Sequence, residues 1–211
     1  MENKMRLSMN VSNFEPVNTS ITNLNIDDHE VLRVVKSQKI YEYDENTYAK
    51  VRTLDFKNGI IEVDMMSRLL DDAPDFARGF IGIVFRANED DSEFESFYLR
   101  PTNSVNMTED PVRQAHGCQY FSYPGFTFSY FREKGITEYE APIKNELNRW
   151  IHLKAVINDE KAEFYLDNEK TAVLSVEKLL HGKGEFGSLG LFVDIGTEAF
   201  FKNLSVTEIN E

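Results

Sequence analysis

The segment from Ile151 to Leu166 constrains the fold more than any other part of this sequence. Apolar residues occupy every second position from Ile151 to Ile157 and again from Ala162 to Leu166, with mostly polar residues between them. The intervening Asn-Asp-Glu-Lys sequence is typical of a turn. Because successive side chains of a strand point to opposite faces, the pattern predicts a β-hairpin with one buried and one solvated face.

Segments of the same character recur along the chain, and most are bounded by Asn, Asp, Gly or Pro. They are short and rich in aromatic and β-branched residues, which favours strands. The predicted strands cover residues 30–37, 48–56, 60–66, 79–87, 93–100, 126–133, 149–158, 161–168, 188–194 and 199–209. Helical periodicity is confined to residues 67–79 and 175–184. The sequence therefore predicts an all-β fold, an antiparallel β-sandwich.

Length and charge narrow the classes of function. A chain of 211 residues is within the size of one β-sandwich, and no linker or repeat divides it, so residues 1–211 are predicted to form a single domain. Lysine and arginine number 23 against 36 acidic residues, which gives a net charge of −13. That charge repels nucleic acid and anionic membrane surfaces, and neither is an expected partner.

The cysteine content and the N-terminal residues bound the disulfides and the compartment that can be expected. Cys118 is the only cysteine, which excludes an internal disulfide. The first ten residues contain no apolar segment of a secretory signal, and no run of about 18 apolar residues occurs. As written, the sequence predicts a cytoplasmic protein; prior removal of a signal peptide would instead make it secreted or periplasmic.

The order and spacing of four segments carry a resemblance to a known superfamily. The segments are GFIGIVFRANEDDSEFESFYLRPTNS, YFSYPGFTFSYFRE, NRWIHLKAVINDEKAEFYLDN and GSLGLFVDIGTEAFFKNLSV. Together they resemble the concanavalin A-like lectin/glucanase superfamily, and within it the bacterial laminin-G-like and 3-keto-disaccharide-hydrolase-like domains. The resemblance implies a jelly roll of two curved antiparallel sheets, with ligands on the concave face or its rim loops. Members include lectins, carbohydrate-binding modules and glycosidases, so fold alone does not decide function.

Two carboxylates stand two residues apart in the segment GIIEVDMMS. In the retaining glucanases of the superfamily, a Glu-x-Asp strand carries a second Glu two or three residues further on, because a nucleophile and an acid/base must flank the glycosidic bond. Glu62 and Asp64 match the first two positions, but Met66 and Ser67 stand where the second Glu would be. Glu62 and Asp64 are catalytic candidates in an incomplete dyad. The alternative is a strand whose solvated face carries both carboxylates.

Alternation in two neighbouring strands predicts a ligand surface. If the apolar residues of segment 81–85 point into the core, Arg86, Tyr98 and Arg100 share the outer face of one sheet. Guanidinium and phenol groups side by side can bind sugar hydroxyls or a carboxylate while a ring stacks on the sugar. The alternative is that both arginines form salt bridges with carboxylates of adjacent strands. A single β-bulge would also reverse the face of Arg86.

Residues 101–125 form a connection much longer than a hairpin needs. Tyr120, Tyr123 and Phe126 predict an aromatic platform beside the sheet and are candidates for ligand binding. Polar contacts would come from Arg113, Gln114, His116 and Gln119. The alternative is that these side chains pack the loop against the edge of the sandwich.

Metal binding has a weak sequence signal. The four histidines are scattered, with no pair at a spacing typical of metal ligands, and no cofactor is expected. The resemblance implies that a structural Ca²⁺ is common in such folds. Asp194 and Glu198 are the candidate ligands, together with backbone carbonyl groups.

These observations favour a domain that binds a carbohydrate or carbohydrate-like ligand without cleaving it. Two alternatives stay open: hydrolysis of glycosidic or 3-keto-glycosidic bonds by concave-face carboxylates, and a protein-interaction sandwich. The sequence names neither the sugar nor the oligomeric state. It also leaves open whether residues 1–50 complete the sheets or wrap around them.

Overall fold

Strands make up most of the regular structure in this computed structural model, which describes residues 3–37, 42–184 and 186–209. In chain order the strands are β1 (Asn3–Arg6), β2 (Phe14–Val17), β3 (Thr19–Ile26), β4 (His29–Lys36), β5 (Tyr48–Val51), β6 (Gly59–Leu69), β7 (Ile81–Ala87), β8 (Phe94–Leu99), β9 (Cys118–Tyr123), β10 (Glu140–Ala141), β11 (Ile151–Asn158), β12 (Lys161–Leu166), β13 (Leu174–Val176), β14 (Ser188–Val193) and β15 (Thr197–Glu208). The helices are α1 (Pro111–Gln114), α2 (Phe128–Lys134) and the 3-10 turns Val11–Asn13 and Pro101–Asn103.

The strands form two antiparallel sheets. The first sheet has the order β13-β12-β11-β6-β15-β4-β3, with β1 also paired to β15, and the second has the order β10-β9-β8-β7-β14-β5-β2. The predicted all-β sandwich is therefore confirmed, and so is the hairpin of β11 and β12. Strands β1, β3 and β4 belong to the first sheet, and β2 and β5 belong to the second. The described part of the N-terminal fifty residues therefore completes the two sheets.

One core fills the space between the two sheets. Alternation directs Ile61, Val63 and Met65 of β6 into this core from the first sheet, and all three are at most 1% exposed. The two sheets meet where the ring of Phe97 in β8 stacks on that of Phe164 in β12, with centroids 4.1 Å apart and planes 5° from parallel. Burial of such a side chain stabilises the fold by about 1.5–3 kcal/mol.

A second apolar cluster covers much of the outer face of the second sheet. Val84, Tyr98, Phe121 and Phe192 project from that face, and Phe131 of α2 packs over them. The outer face is thus covered in part by α2, which corrects the expectation of an open, solvated surface along these strands. A pocket remains where α2, the segment around residue 76 and the loop after β8 meet.

Four local predictions of secondary structure are wrong. The segment 126–133 is not a strand, because most of it belongs to α2 (Phe128–Lys134). Thr127 is the N-cap residue of this helix, and Gly135 adopts the left-handed conformation (φ 66°) that ends it. Residues 67–79 and 175–184 are not helical; they consist of strand ends and turns. Strand β9 lies inside the connection that was predicted to be a loop.

Candidate functional site

A pocket of ≈ 200 Å³ opens on the outer face of the second sheet. Four arginines and five aromatic rings dominate its lining, and we call it the arginine pocket. Its lining residues are Tyr43, Phe76, Arg78, Phe80, Tyr98, Arg100, Asn103, Val112, Arg113, His116, Phe128 and Arg132. No aspartate or glutamate occurs among these lining residues of the described chain. In a protein with a net charge of −13, the pocket is a local concentration of positive charge.

Tyr98 and Arg100 form the floor of the arginine pocket. Their predicted placement on one face of the sheet is confirmed, since Nη2 of Arg100 donates to the hydroxyl of Tyr98 at 2.7 Å and also to Oε1 of Gln119. Nη1 of Arg100 donates to Oε1 of Glu140 at 2.8 Å. Burial opposes the charge of Arg100, but Tyr98, Glu140 and a nearby aspartate outweigh burial and raise its pKa.

A glycine in β7 lets the Tyr98 side chain lie across the sheet. Gly82 pairs with Tyr98, and a Cβ at position 82 would come within 2.8 Å of the Tyr98 Cβ and 2.0 Å of the Phe97 carbonyl oxygen. A larger residue would therefore displace β8 from β7. Gly82 thus leaves the space that Tyr98 needs in the floor of the pocket.

His116 and Glu140 link the floor of the pocket to α2. Nδ1 of His116 lies 2.8 Å from Oε2 of Glu140, and Nη1 of Arg132 lies 2.9 Å from Nε2 of His116. Because a guanidinium can only donate, Nε2 must be the acceptor, and Nδ1–H donates to Glu140. His116 is therefore neutral. Its pKa is lowered by burial and by Arg132 and Arg100, against the opposing effect of Glu140.

Arg78 and Arg113 differ from Arg100 in having no acidic partner. Nη1 of Arg78 donates to the carbonyl oxygens of Asp75 and Ala77, both at 2.8 Å. Arg113 donates to Oδ1 of Asn103 at 3.1 Å and to the carbonyl oxygen of Thr102 at 2.8 Å. Within the described residues, no carboxylate lies within 4.0 Å of either guanidinium. The pKa of Arg78 is lowered by burial and by the charges of Arg113 and Arg100.

A buried acidic pair lies beneath the pocket. The side chain of Asp44 accepts from the Phe128 N–H, which ties this pair to the start of α2. Asp194 accepts from Nζ of Lys36 at 2.5 Å and from the Asp44 N–H at 3.0 Å. Burial and the charge of Asp194 raise the pKa of Asp44 to about 6. Oδ1 of Asp44 has no hydrogen-bond partner among the described residues.

Arg86 lies away from the arginine pocket. It occupies a β-bulge in β7, with φ at +54°, where the register against β14 shifts. Its Nη2 donates to the carbonyl oxygen of Asp159 at 2.7 Å and its Nε to that of Lys57 at 2.9 Å. The prediction that Arg86 shares a face with the tyrosine and arginine of β8 is wrong, because the bulge turns its side chain toward the first sheet.

The predicted aromatic platform does not form one surface. Tyr120 points into the core, where its hydroxyl donates to Oε2 of Glu95 at 2.6 Å. Tyr123 stacks on Phe94 with centroids 5.0 Å apart, and Phe126 packs edge-on against a ring of α2. None of the three candidates lines the arginine pocket. The alternative, in which the loop packs on the sandwich, describes their positions better.

Glu62 and Asp64 lie on the outer face of the first sheet, in a separate pocket of ≈ 520 Å³. His152 bridges them: its Nδ1 is 2.7 Å from Oδ1 of Asp64 and its Nε2 is 3.5 Å from Oε1 of Glu62. Lys4 donates to Oε2 of Glu62 at 2.5 Å. Burial acts to raise the pKa of Glu62, but Lys4 and His152 outweigh it and lower the pKa.

The two candidate calcium ligands each have a cationic partner. Asp194 is paired with Lys36, and Oε1 of Glu198 accepts from Nε of Arg33 at 2.5 Å. Across the described ranges, no three His, Cys, Asp or Glu side chains are grouped to hold a metal ion. The structure brings Asp194 and Glu198 into ion pairs rather than into one group of oxygen ligands.

Sequence reasoning missed several residues of the pocket. Tyr43, Phe76 and Arg78 come from connections before β8, and Arg132 comes from α2, after it. The sequence did contain a signal for Arg132. Gly135 is typical of a residue that ends a helix, and the helix before it, α2, carries Arg132. Of the four polar loop residues predicted to make contacts, Arg113 and His116 line the pocket.

The chain has the concanavalin A-like β-sandwich fold. It is similar to the carbohydrate-binding module CBM66 from Bacillus subtilis, at 14% identity and a TM-score of 0.56 over 91% of this chain and 97% of that chain. It is also similar to a galectin-like protein of unknown function from Bacillus subtilis, at 11% identity and a TM-score of 0.52 over 93% and 90% of the two chains. A β-glucanase from Bacillus licheniformis gives 9% identity and a TM-score of 0.52 over 98% and 92%.

Sequence comparison adds no closer relationship. No protein-family model matches the chain, and no curated protein matches it by sequence. Among the described residues, no helix has both the length and the apolar character needed to cross a membrane.

Proposed function

We propose that the protein binds a carbohydrate or carbohydrate-like ligand in the arginine pocket and does not cleave it. The observation that carries this proposal is the combination of aromatic faces and guanidinium donors in one lining. A sugar ring has an apolar face that stacks on aromatic rings and hydroxyl groups that accept from N–H donors. Both kinds of surface meet in this pocket.

The size of the pocket favours a small ligand. Its volume of ≈ 200 Å³ is below the roughly 300–1,000 Å³ of pockets that hold drug-sized molecules. One sugar ring, or the end of a chain, suits this space better than an extended polysaccharide. Phe76 and Val112 are 48% and 68% exposed at the rim, where a second unit would make contact.

The fold likeness also supports a carbohydrate. Two of the structural neighbours are by name a carbohydrate-binding module and a β-glucanase. Against cleavage, glycosidases need two carboxyl groups on either side of the glycosidic bond, and the pocket lining includes none. Glu140 lies behind the lining and is held by Arg100 and His116.

Hydrolysis at Glu62 and Asp64 is the alternative, and the ≈ 520 Å³ pocket around them favours it. A general acid for this chemistry needs a raised pKa, whereas the pKa of Glu62 is lowered. We therefore expect no turnover of aryl glycosides or 3-keto-glucosides by the native protein. Turnover that Glu62→Gln abolishes would replace binding with hydrolysis. A protein-interaction role stays a prediction that light scattering can test.

The binding proposal is tested by calorimetric titration with a panel of monosaccharides and short glycans. Phe76→Ala removes an exposed ring at the rim, and we expect binding to weaken about threefold to tenfold, the value of one aromatic contact. Phe186→Ala is the matched control, because Phe186 is an exposed ring (65%) outside the pocket. Equal affinities for both variants and the native protein, or no binding to any glycan, would refute the proposal.

A further inference from the structure

Charge in the arginine pocket is not balanced by the protein. Of its four guanidiniums, Arg100 is neutralised by Glu140 at 2.8 Å, and Arg132 lies 3.6 Å from the same carboxylate. Arg78 and Arg113 bind only neutral oxygens. Charged groups that are partly buried are normally paired, because leaving water costs them solvation. The pocket therefore contains two cations that the described chain does not pair.

Mutual repulsion makes this imbalance unfavourable in the free protein. The charges of Arg113 and Arg100 act on Arg78 and, with burial, lower its pKa. An anion placed among these groups would remove the repulsion and replace lost solvation. The same anion on the rest of the surface would be repelled by the net charge of −13.

Arg78 has the geometry to bind a carboxylate. Its two hydrogen bonds to the protein both use Nη1. Nε and Nη2, which lie along one edge of the guanidinium, make no hydrogen bond within the described residues. That edge presents two parallel N–H groups, the arrangement that matches both oxygens of a carboxylate. Nη1 of Arg113 is similarly free of protein partners in the described chain.

We propose that the ligand is an acidic sugar of the uronic-acid class, whose carboxylate is bound by Arg78 and Arg113 while its ring lies against the aromatic lining. This inference rests on the proposed function, and it specifies the class of sugar for the same site. Arg100 lies in the floor of the pocket and is already paired with Glu140, so its charge is not available to the carboxylate of the ligand. Arg132 closes the exposed side of the pocket over the ring of Phe128, with its guanidinium carbon 4.8 Å from the centroid.

The test compares five ligands by calorimetric titration at low ionic strength: methyl glucuronoside, methyl galacturonoside, the methyl ester of each, and glucose 6-sulfate. Each ester keeps the ring and the configuration of its uronic acid, removes the charge and adds one methyl group. We expect at least one acid to bind about tenfold to a hundredfold more tightly than its ester, as for a hydrogen bond to a charged group. Added salt should reduce this difference.

Two arginine variants test which residue causes the preference for the acid over its ester. Arg78→Gln should abolish the preference for acid over ester, while Arg52→Gln, at an exposed arginine outside the pocket, should leave it intact. Equal binding of acid and ester would overturn the uronic-acid inference and leave carbohydrate binding standing. Tighter binding of the sulfate than of both acids would overturn the carboxylate assignment. Absence of binding to every glycan, including neutral ones, would refute the proposed function together with this inference.

Discussion

Asp44→Asn should make the protein more stable at neutral pH than the native protein. The Asp44 carboxylate is fully buried, and Oδ1 has no partner in the described residues, while Oδ2 accepts from the Phe128 N–H. Burial and the negative charge of Asp194 raise its pKa to about 6. An asparagine retains one oxygen acceptor and removes the buried charge.

The sign and size of the effect follow from proton linkage. Between the ordinary pKa of 3.8 and the folded-state value of about 6, the folded protein holds more protons than the unfolded chain, so stability falls as pH rises. The difference corresponds to about 3 kcal/mol, at about 1.36 kcal/mol per pH unit. The loss begins near pH 3.8 and is complete above about pH 6. Because a small part of the loss has already occurred at pH 4, the stability of Asp44→Asn relative to native should increase by about 2 kcal/mol between pH 4 and pH 7.5.

Urea unfolding followed by circular dichroism at both pH values measures this difference directly. Thr47→Val is a suitable control, because the buried Thr47 hydroxyl donates to the Val193 carbonyl oxygen at 2.7 Å and does not titrate. Its cost should be the same at both pH values. A relative stability of Asp44→Asn that does not change with pH would refute the assignment of a raised pKa to this buried carboxyl.

Three further outcomes are expected. Arg86→Gln should lower the free energy of unfolding in urea by about 3 kcal/mol, because it removes charged hydrogen bonds to two partly buried carbonyl oxygens, and should leave glycan affinity unchanged; weaker glycan binding at unchanged stability would contradict this. Gly82→Ala should destabilise the fold by about 1–3 kcal/mol, since its Cβ would meet the Phe97 carbonyl at 2.0 Å; a neutral effect would show that β7 and β8 pack less closely. Nitrogen NMR should show His116 neutral and protonated at Nδ1 at pH 7; the Nε2–H tautomer would contradict its hydrogen bonds to Glu140 and Arg132.

Alternation along strands was sufficient to predict much of the fold. The pattern in β6, β8, β11 and β12 identifies the buried face correctly, because a strand in a sandwich must direct every second side chain into the core. The same rule placed Tyr98 and Arg100 together. The rule failed at Arg86, because this residue has a positive φ in a β-bulge and its side chain points to the opposite face of the sheet. The sequence Phe-Arg-Ala-Asn at residues 85–88 gives no sign of that bulge.

Segment 126–133 shows why aromatic content alone is ambiguous. Its phenylalanines and tyrosine fit either a strand or a helix with one buried side, and the structure uses Phe131 to cover the second sheet. The decisive signal was at the ends, with Thr127 before the helix and Gly135 after it. Recognising α2 would have added Arg132 to the candidate residues.

Most of the arginine pocket was not predictable from local patterns. It combines the segment around Arg78, the loop with Arg113 and the helix with Arg132, and only tertiary packing brings these together. By contrast, Glu62 and Asp64 stand two residues apart in sequence and are easily noticed, yet Lys4 and His152 pair with them on the first sheet. The sequence therefore brings out the pair of carboxylates, whereas the arginine pocket becomes visible only in the folded chain.

The arginine pocket is tested most directly by mapping a bound glycan on the protein with amide NMR. A uronic acid added to the labelled protein should shift the amide signals of Phe76, Asn103 and Val112, which surround the pocket. Signals of His152 and Asn203, beside the carboxylates of the first sheet, should stay in place. Shifts confined to those two residues and their neighbours would contradict binding in the arginine pocket.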